Sequence, residues 1–248
     1  MDFDGWVRLV PWRYNNAPLS AAGSLMNYGG RFNIGADVDH AIHPRWLALY
    51  IGENQETAYR EKFGLSKDDQ IDGLSGEELA LTTGGSYTAV RLNGHFELVF
   101  DLAQEGALDP LCDVLAKMTL PAEARRLHKR LKLAGPPPSM IRSASRLLEE
   151  TLVTNWRGQP TQFGLPAVSH ILASLIVDTG YEAIRYPSTK GDGECVAIFP
   201  HRLGSDASFV SVSDIPPESV KHTRLDMSTA DDLCGWEVLP SYLRPVRL

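Results

Sequence analysis

The stretch YGGRFNIGADVDHAIHPRWLALYIGENQETAYRE, residues 28–61, runs from a glycine turn through an apolar segment into a short helix. Gly29 and Gly30 place Arg31 and Asn33 on a turn where a ligand can approach the backbone closely. The run Trp46–Ile51 reads as a strand that carries Tyr50 and stops at Gly52. Residues Glu53–Glu61 read as a helix with Asn54 as its N-cap, Ala58 and Tyr59 on one face, and Glu61 near its end. Together these bring a cationic fork, an aromatic ring and a carboxylate into one neighbourhood. A guanidinium suits paired phosphate oxygens, a phenol ring can stack on a flat heterocycle, and a carboxylate belongs beside a developing positive charge. Such a set fits a phosphorylated substrate with a cationic heterocycle, of which NAD+ is the commonest. The same residues also allow a plainer reading: a surface arginine, a core tyrosine and a solvated glutamate.

On the N-terminal side, Trp6–Val10 reads as a first strand stopped by Pro11. Residues 37–45 read as a surface insertion between the turn and the Tyr50 strand. Its Asp37, Asp39, His40 and His43 are of metal-ligating type, but no matching pair lies elsewhere and Pro44 breaks any helix that would align them, so no metal is expected. Residues 64–78 are acidic and rich in turn formers. Asn93-Gly94, between the apolar runs Tyr87–Leu92 and Phe96–Phe100, predicts a β-hairpin. Residues Leu108–Trp156 carry helical patterning bent by GPPPS at 135–139, with one helix expected over Met140–Val153. A helix over Leu165–Thr179 and strands over Ala183–Tyr186, Glu194–Phe199 and Phe209–Val212 follow. Strands at the start, middle and end with helices clustered between them imply an α+β fold rather than repeated βαβ units.

The chain has 248 residues, 43% of them hydrophobic and 22% charged, which is the composition of a globular protein with a full core. A formal net charge of -7 argues against a general nucleic-acid binder, although Arg8, Arg31 and Arg185 together would make a local basic pocket. Cys112, Cys195 and Cys234 are odd in number and widely spaced, so neither a disulfide framework nor a zinc site is expected, and a reducing cytoplasm is the natural home. An acidic N-terminus and the lack of an 18-residue apolar run argue against a Sec signal and a membrane span. Delivery into a target cell by a contact-dependent machine would leave no such mark.

Four segments in order resemble the RES family, toxins named for an arginine, a glutamate and a serine. In that family a GGR[WF]N segment precedes a strand ending in Tyr, and a helix then carries Glu eleven residues after the Tyr. Here GGRFN supplies Arg31, and Tyr50 and Glu61 keep the spacing. A late I-x-Y-P-S segment appears as AIRYPS, giving Ser188, and Arg8 in WVRLVP matches a first-strand arginine. The resemblance spans roughly Trp6 to Leu203. It implies one domain over 1–248, with a core of about 6–203, a helical insertion of about 105–160, and a fold like that of ADP-ribosyltransferases: mixed and antiparallel sheets with surrounding helices. Phe32 stands where tryptophan is more frequent in the family.

The resemblance further implies that NAD+ is a substrate, with no cofactor, and that the bond between nicotinamide and ribose is broken. On that basis Glu61 would stabilise the ribose cation, Tyr50 would face nicotinamide, and Arg31 with Arg8 would hold the pyrophosphate. Asn33 and Ser188 would contact ligand, although Asn33 can equally shape the turn. A separate antitoxin or immunity protein is expected, since no helix-turn-helix domain is fused. The leading expectation is an NAD+ glycohydrolase or phosphorylase. The alternatives are an ADP-ribosyltransferase acting on a protein and a non-catalytic nucleotide- or protein-binding module. The absence of G-x-S-x-G disfavours a serine hydrolase, and the absence of G-x-G-x-x-G disfavours hydride transfer.

Overall fold

A computed structural model describes residues 1–25, 29–64, 86–118, 122–132, 141–153, 156 and 164–235. Eight strands form one sheet: β1 (Asp2–Pro11), β2 (Leu49–Gly52), β3 (Tyr87–His95), β4 (Val99–Asp101), β5 (Ala183–Pro187), β6 (Glu194–Ile198), β7 (Phe209–Val212) and β8 (Arg224–Leu225). Their order is β4-β5-β6-β2-β1-β3-β7-β8. Every pairing is antiparallel except β4 with β5. The helices among the described residues are α1 (Gln55–Phe63), α2 (Asp109–Lys117), α3 (Ala122–Arg130), α4 (Ala144–Leu152), α5 (Val168–Asp178) and α6 (Ala230–Cys234). This is the α+β architecture expected from the sequence.

Side chains alternate across a strand, and the central strands bury both sets. On β2, Leu49 and Ile51 enter a core with Phe3, Trp6, Leu92 and Phe96, while Ala48, just before the strand, enters a second core on the other face. On β6, Val196 and Ile198 join the first core and Cys195 and Ala197 the second. Helices α2, α4 and α5 cover that second core through Cys112, Leu147, Leu172, Ala173 and Ile176. Strands buried on both faces read as apolar runs, and this is why Trp46–Ile51 and Glu194–Phe199 stand out in the sequence.

The hairpin expected at Asn93-Gly94 does not form. Strand β3 continues through both residues, with Gly94 opposite Phe3 on one side and Val210 on the other. A Cβ at Gly94 would lie 2.2 Å from the Phe209 carbonyl oxygen and 2.5 Å from the Phe3 ring. The glycine therefore marks close approach of neighbours inside the sheet, a second use that local sequence cannot tell from a turn. Strand β4 lies at the far edge of the sheet, paired in parallel with β5. Gly64 apart, the acidic stretch 64–78 falls outside the described residues, as do the bend at 135–139 and the start of the helix expected from Met140. Within 37–45, Asp39, His40, Ala41, Ile42 and Pro44 are exposed while Val38 is buried as an anchor.

One irregularity positions the site. Strands β1 and β2 share a single pair, Val7 opposite Gly52. From there they diverge, and Val7–Pro11 on one side and Ala48, Tyr50, Ile51 and Gly52 on the other line a cleft of about 640 Å³.

Candidate active site

The cleft opens where two strands part, so its walls carry backbone as well as side chains, and its volume falls in the range of small-molecule sites. Arg31, Tyr50 and Glu61 all line it, as do Arg8, Lys62, Lys190, Trp156, Tyr186 and Cys195. Among the described residues its lining side chains include four cations and a single carboxylate, Glu61, in a chain that is acidic as a whole. A cationic hollow in an anionic protein selects for an anionic ligand through local field rather than net charge.

Glu61 is placed by helix α1. Asn54 caps that helix, its side chain accepting from the Thr57 N–H at 2.9 Å. Thr57 and Ala58 are buried against the sheet, and Glu61 lies three and four residues on, on the same face. There it meets the loop between β5 and β6. Its Oε1 accepts from the Ser188 hydroxyl at 2.7 Å, from the Thr189 N–H at 2.6 Å and, weakly, from the Thr189 hydroxyl at 3.4 Å. The loop is closed by the Ser188 N–H donating to the Gly193 carbonyl and is tied to α1 by the Thr57 hydroxyl donating to the Asp192 carbonyl, both at 2.9 Å. Ser188 itself is not among the cleft-lining residues; it stands behind Glu61 and holds it.

Arg31 is 6% exposed. Its Nη1 donates to the Thr151 and Val153 carbonyls at 2.9 and 3.0 Å, and its Nη2 donates to the Thr189 hydroxyl at 3.0 Å. Those bonds occupy three of the five N–H donors of a guanidinium. The guanidinium carbon lies 5.9 Å from the Trp156 ring centre, a cation–π contact. Burial lowers the Arg31 pKa, with Tyr186 and Glu61 partly opposing it. The arginine is therefore anchored to the end of α4, an assignment that a free phosphate-gripping fork would not need.

Tyr50 is fixed to the glycine turn. The Phe32 N–H donates to its hydroxyl oxygen at 2.9 Å, and its hydroxyl donates to Asn33 Oδ1 at 2.8 Å. The ring packs so closely on Gly30 that a Cβ there would lie 2.3 Å from the hydroxyl oxygen. Asn33, expected among the ligand contacts, is fully buried and is not among the residues lining the cleft. Its Oδ1 also accepts from the Gly30 N–H at 2.9 Å and its Nδ2 donates to the Ser24 carbonyl at 2.8 Å, so its side chain builds the turn. His170, also fully buried, completes that support. Its Nδ1 accepts from the Ala167 N–H at 3.3 Å, which leaves the proton on Nε2 to donate to the Gly30 carbonyl at 3.0 Å.

The basic pocket of Arg8, Arg31 and Arg185 forms only in part. Arg185 is held by Glu194 and Asp101 and does not line the cleft. Arg8 does line it. Arg8 Nη2 donates to the Ser20 carbonyl at 2.8 Å, Nη1 is shielded and has no hydrogen-bond partner among the described residues, and burial pulls the Arg8 pKa down to about 10. Lys62 takes the place expected for Arg185. Although the residue keeps more than a third of its surface exposed, burial around its ammonium and repulsion from Arg8 lower its pKa. Cys195, buried with its pKa raised mainly by desolvation, is no thiolate nucleophile. Among the described residues no cluster of metal-ligating side chains occurs, and no helix is long and apolar enough to cross a membrane.

Comparison with known protein families matches residues 6–221 to the RES domain. A comparison with curated proteins finds no match. Among solved structures, a chain of the M. tuberculosis MbcT–MbcA toxin–antitoxin complex aligns over 94% of this chain and 90% of its own, at 12% identity and a TM-score of 0.44.

Proposed function

The chain belongs to the RES domain family, and from that premise we propose that it is a toxin that degrades NAD+ by cleaving the bond between nicotinamide and ribose. The observation that carries this reading is the convergence of Arg31, Tyr50 and Glu61 on one cationic cleft in which, among the described residues, Glu61 is the single carboxylate. Cleavage of that bond builds positive charge on the ribose while nicotinamide leaves as a neutral ring. Glu61 is suited to stabilise that charge because its own geometry is fixed beforehand by Ser188 and Thr189, so little reorganisation is needed at the moment of reaction. Tyr50, locked by its hydroxyl, offers the ring face for nicotinamide.

The pyrophosphate falls to the remaining cations. Arg31 keeps donors for it beyond those spent on Thr151, Val153 and Thr189, and Arg8 and Lys62 form the rest of the anionic subsite. Asn33, Ser188 and His170 act on substrate only through the groups they hold. The acceptor is water or inorganic phosphate, and a separate antitoxin is the expected partner of a toxin of this family.

The test is product identification after incubation of the purified protein with NAD+, with and without inorganic phosphate and with a candidate protein acceptor. Nicotinamide with ADP-ribose marks a glycohydrolase, nicotinamide with a phosphorylated ADP-ribose marks a phosphorylase, and labelled protein overturns both in favour of transfer to protein. NAD+ left intact over a long incubation removes the enzymatic reading.

A further inference from the structure

Arg31 and Glu61 line the same cleft, yet among the described residues no direct ion pair joins them. An unscreened guanidinium and carboxylate in a common hollow would ordinarily close on each other, because their attraction grows as water is excluded. Thr189 stands between. Its hydroxyl oxygen accepts from Arg31 Nη2 at 3.0 Å, its N–H donates to Glu61 Oε1 at 2.6 Å, and its hydroxyl is 3.4 Å from that same oxygen. With the oxygen lone pairs turned to the arginine, the hydroxyl proton is left for the carboxylate.

We infer that Thr189 is a positioning residue that works as a spacer: its hydroxyl holds Arg31 and Glu61 at one remove, so that neither neutralises the other. The other ties fit this. Arg31 is drawn back through Nη1 by the Thr151 and Val153 carbonyls, and Glu61 is held through Oε1 by the Ser188 hydroxyl. Among the described residues Glu61 Oε2 carries no hydrogen bond, which leaves it for a ligand cation. Remove the hydroxyl, and Arg31 loses its Nη2 acceptor beside the Glu61 carboxylate that Thr189 also holds. A direct pair would spend the charge that the reaction uses. This part of the inference rests on the NAD+ reading, whereas the spacing itself does not.

Thr189→Val preserves the shape of the side chain and the backbone N–H to Glu61, so it removes the hydroxyl alone, and Thr189→Ser restores it. Two quantities are measured in each. For NAD+ cleavage, Thr189→Val lowers kcat by about a hundredfold with a far smaller change in KM, and Thr189→Ser stays within about threefold of wild type. By side-chain NMR, rotation of the Arg31 guanidinium about its Nε–Cζ bond changes in Thr189→Val and not in Thr189→Ser. Wild-type kinetics and wild-type rotation in Thr189→Val overturn the inference, and so do equal losses in Val and Ser, which mark a packing role. Should wild type leave NAD+ intact, the substrate reading fails by itself, and the rotation measurement still decides the spacer.

Discussion

On the wall of the cleft formed by α1 and the β5–β6 loop, Glu61 is tied to Ser188 and Thr189, Thr189 to Arg31, and Arg31 to the end of α4. On the wall formed by β1 and the last turn of α1, Arg8 and Lys62 are neighbouring cations that repel each other, and among the described residues Arg8 Nη1 is shielded with no hydrogen-bond partner. The first wall is cross-linked by its own hydrogen bonds; the second sets two cations side by side. Preorganised dipoles and charges serve a reaction because they need not move when charge develops. Like charges held together serve binding, because an anion relieves their mutual repulsion. On the proposed NAD+ reading, chemistry belongs to the first wall and substrate capture to the second.

Substitutions divide the walls in the same way. Glu61→Gln keeps the size and the hydrogen-bond acceptor for Ser188 and Thr189 but removes the charge, so kcat for NAD+ falls by about 10²–10³ with KM nearly unchanged. A comparable loss in KM would erase the distinction. Arg31→Ala breaks both walls at once. It leaves the Thr151 and Val153 carbonyls without their donor, costing about 1–3 kcal/mol of stability, and it raises KM; a lowered melting temperature in calorimetry together with an unchanged KM would place Arg31 wholly in the fold. Lys62→Gln acts on the capture wall alone, and because the residue is part-exposed the expected rise in KM is modest, about fivefold, with kcat unchanged. The smallest effect is one of pH. The protonated ammonium binds the anion, so KM rises as pH climbs through the Lys62 pKa, and since burial and Arg8 lower that pKa, the rise begins below the ordinary lysine value of 10.5. In Lys62→Arg the early part of that rise is lost, and KM climbs only as Arg8 titrates at about 10.

Both walls were legible in the sequence to different depths. Asn54 as a cap and Glu61 near the end of α1 follow from local rules, because a helix start and its length are written within a few residues, whereas the face that Glu61 takes is seen only in the structure. Arg31 and Tyr50 follow from side-chain chemistry on a glycine turn and a strand, with a plainer reading left open, whereas Ser188 rests on motif resemblance alone. Thr189 was missed because its partners, Arg31 and Glu61, lie far away in sequence, and a threonine after a serine carries no signal. His170 was missed for the same reason: a lone histidine in an apolar helix looks like core until the Gly30 carbonyl is seen beside it. Lys62 resembles any solvated helix lysine. The misreadings share a cause as well. Asn93-Gly94 has the chemistry of a turn but sits under the Phe3 ring, and Arg185 has the chemistry of an anion ligand but spends its charge on Glu194 and Asp101.

Among all these measurements, the release of free nicotinamide from NAD+ by purified wild-type protein, compared side by side with Glu61→Gln at equal melting temperature, bears most directly on the account. Steady release by the wild type, reduced by about 10²–10³ in the variant, is the predicted result. Equal rates in the two proteins, or no nicotinamide from either, would contradict it.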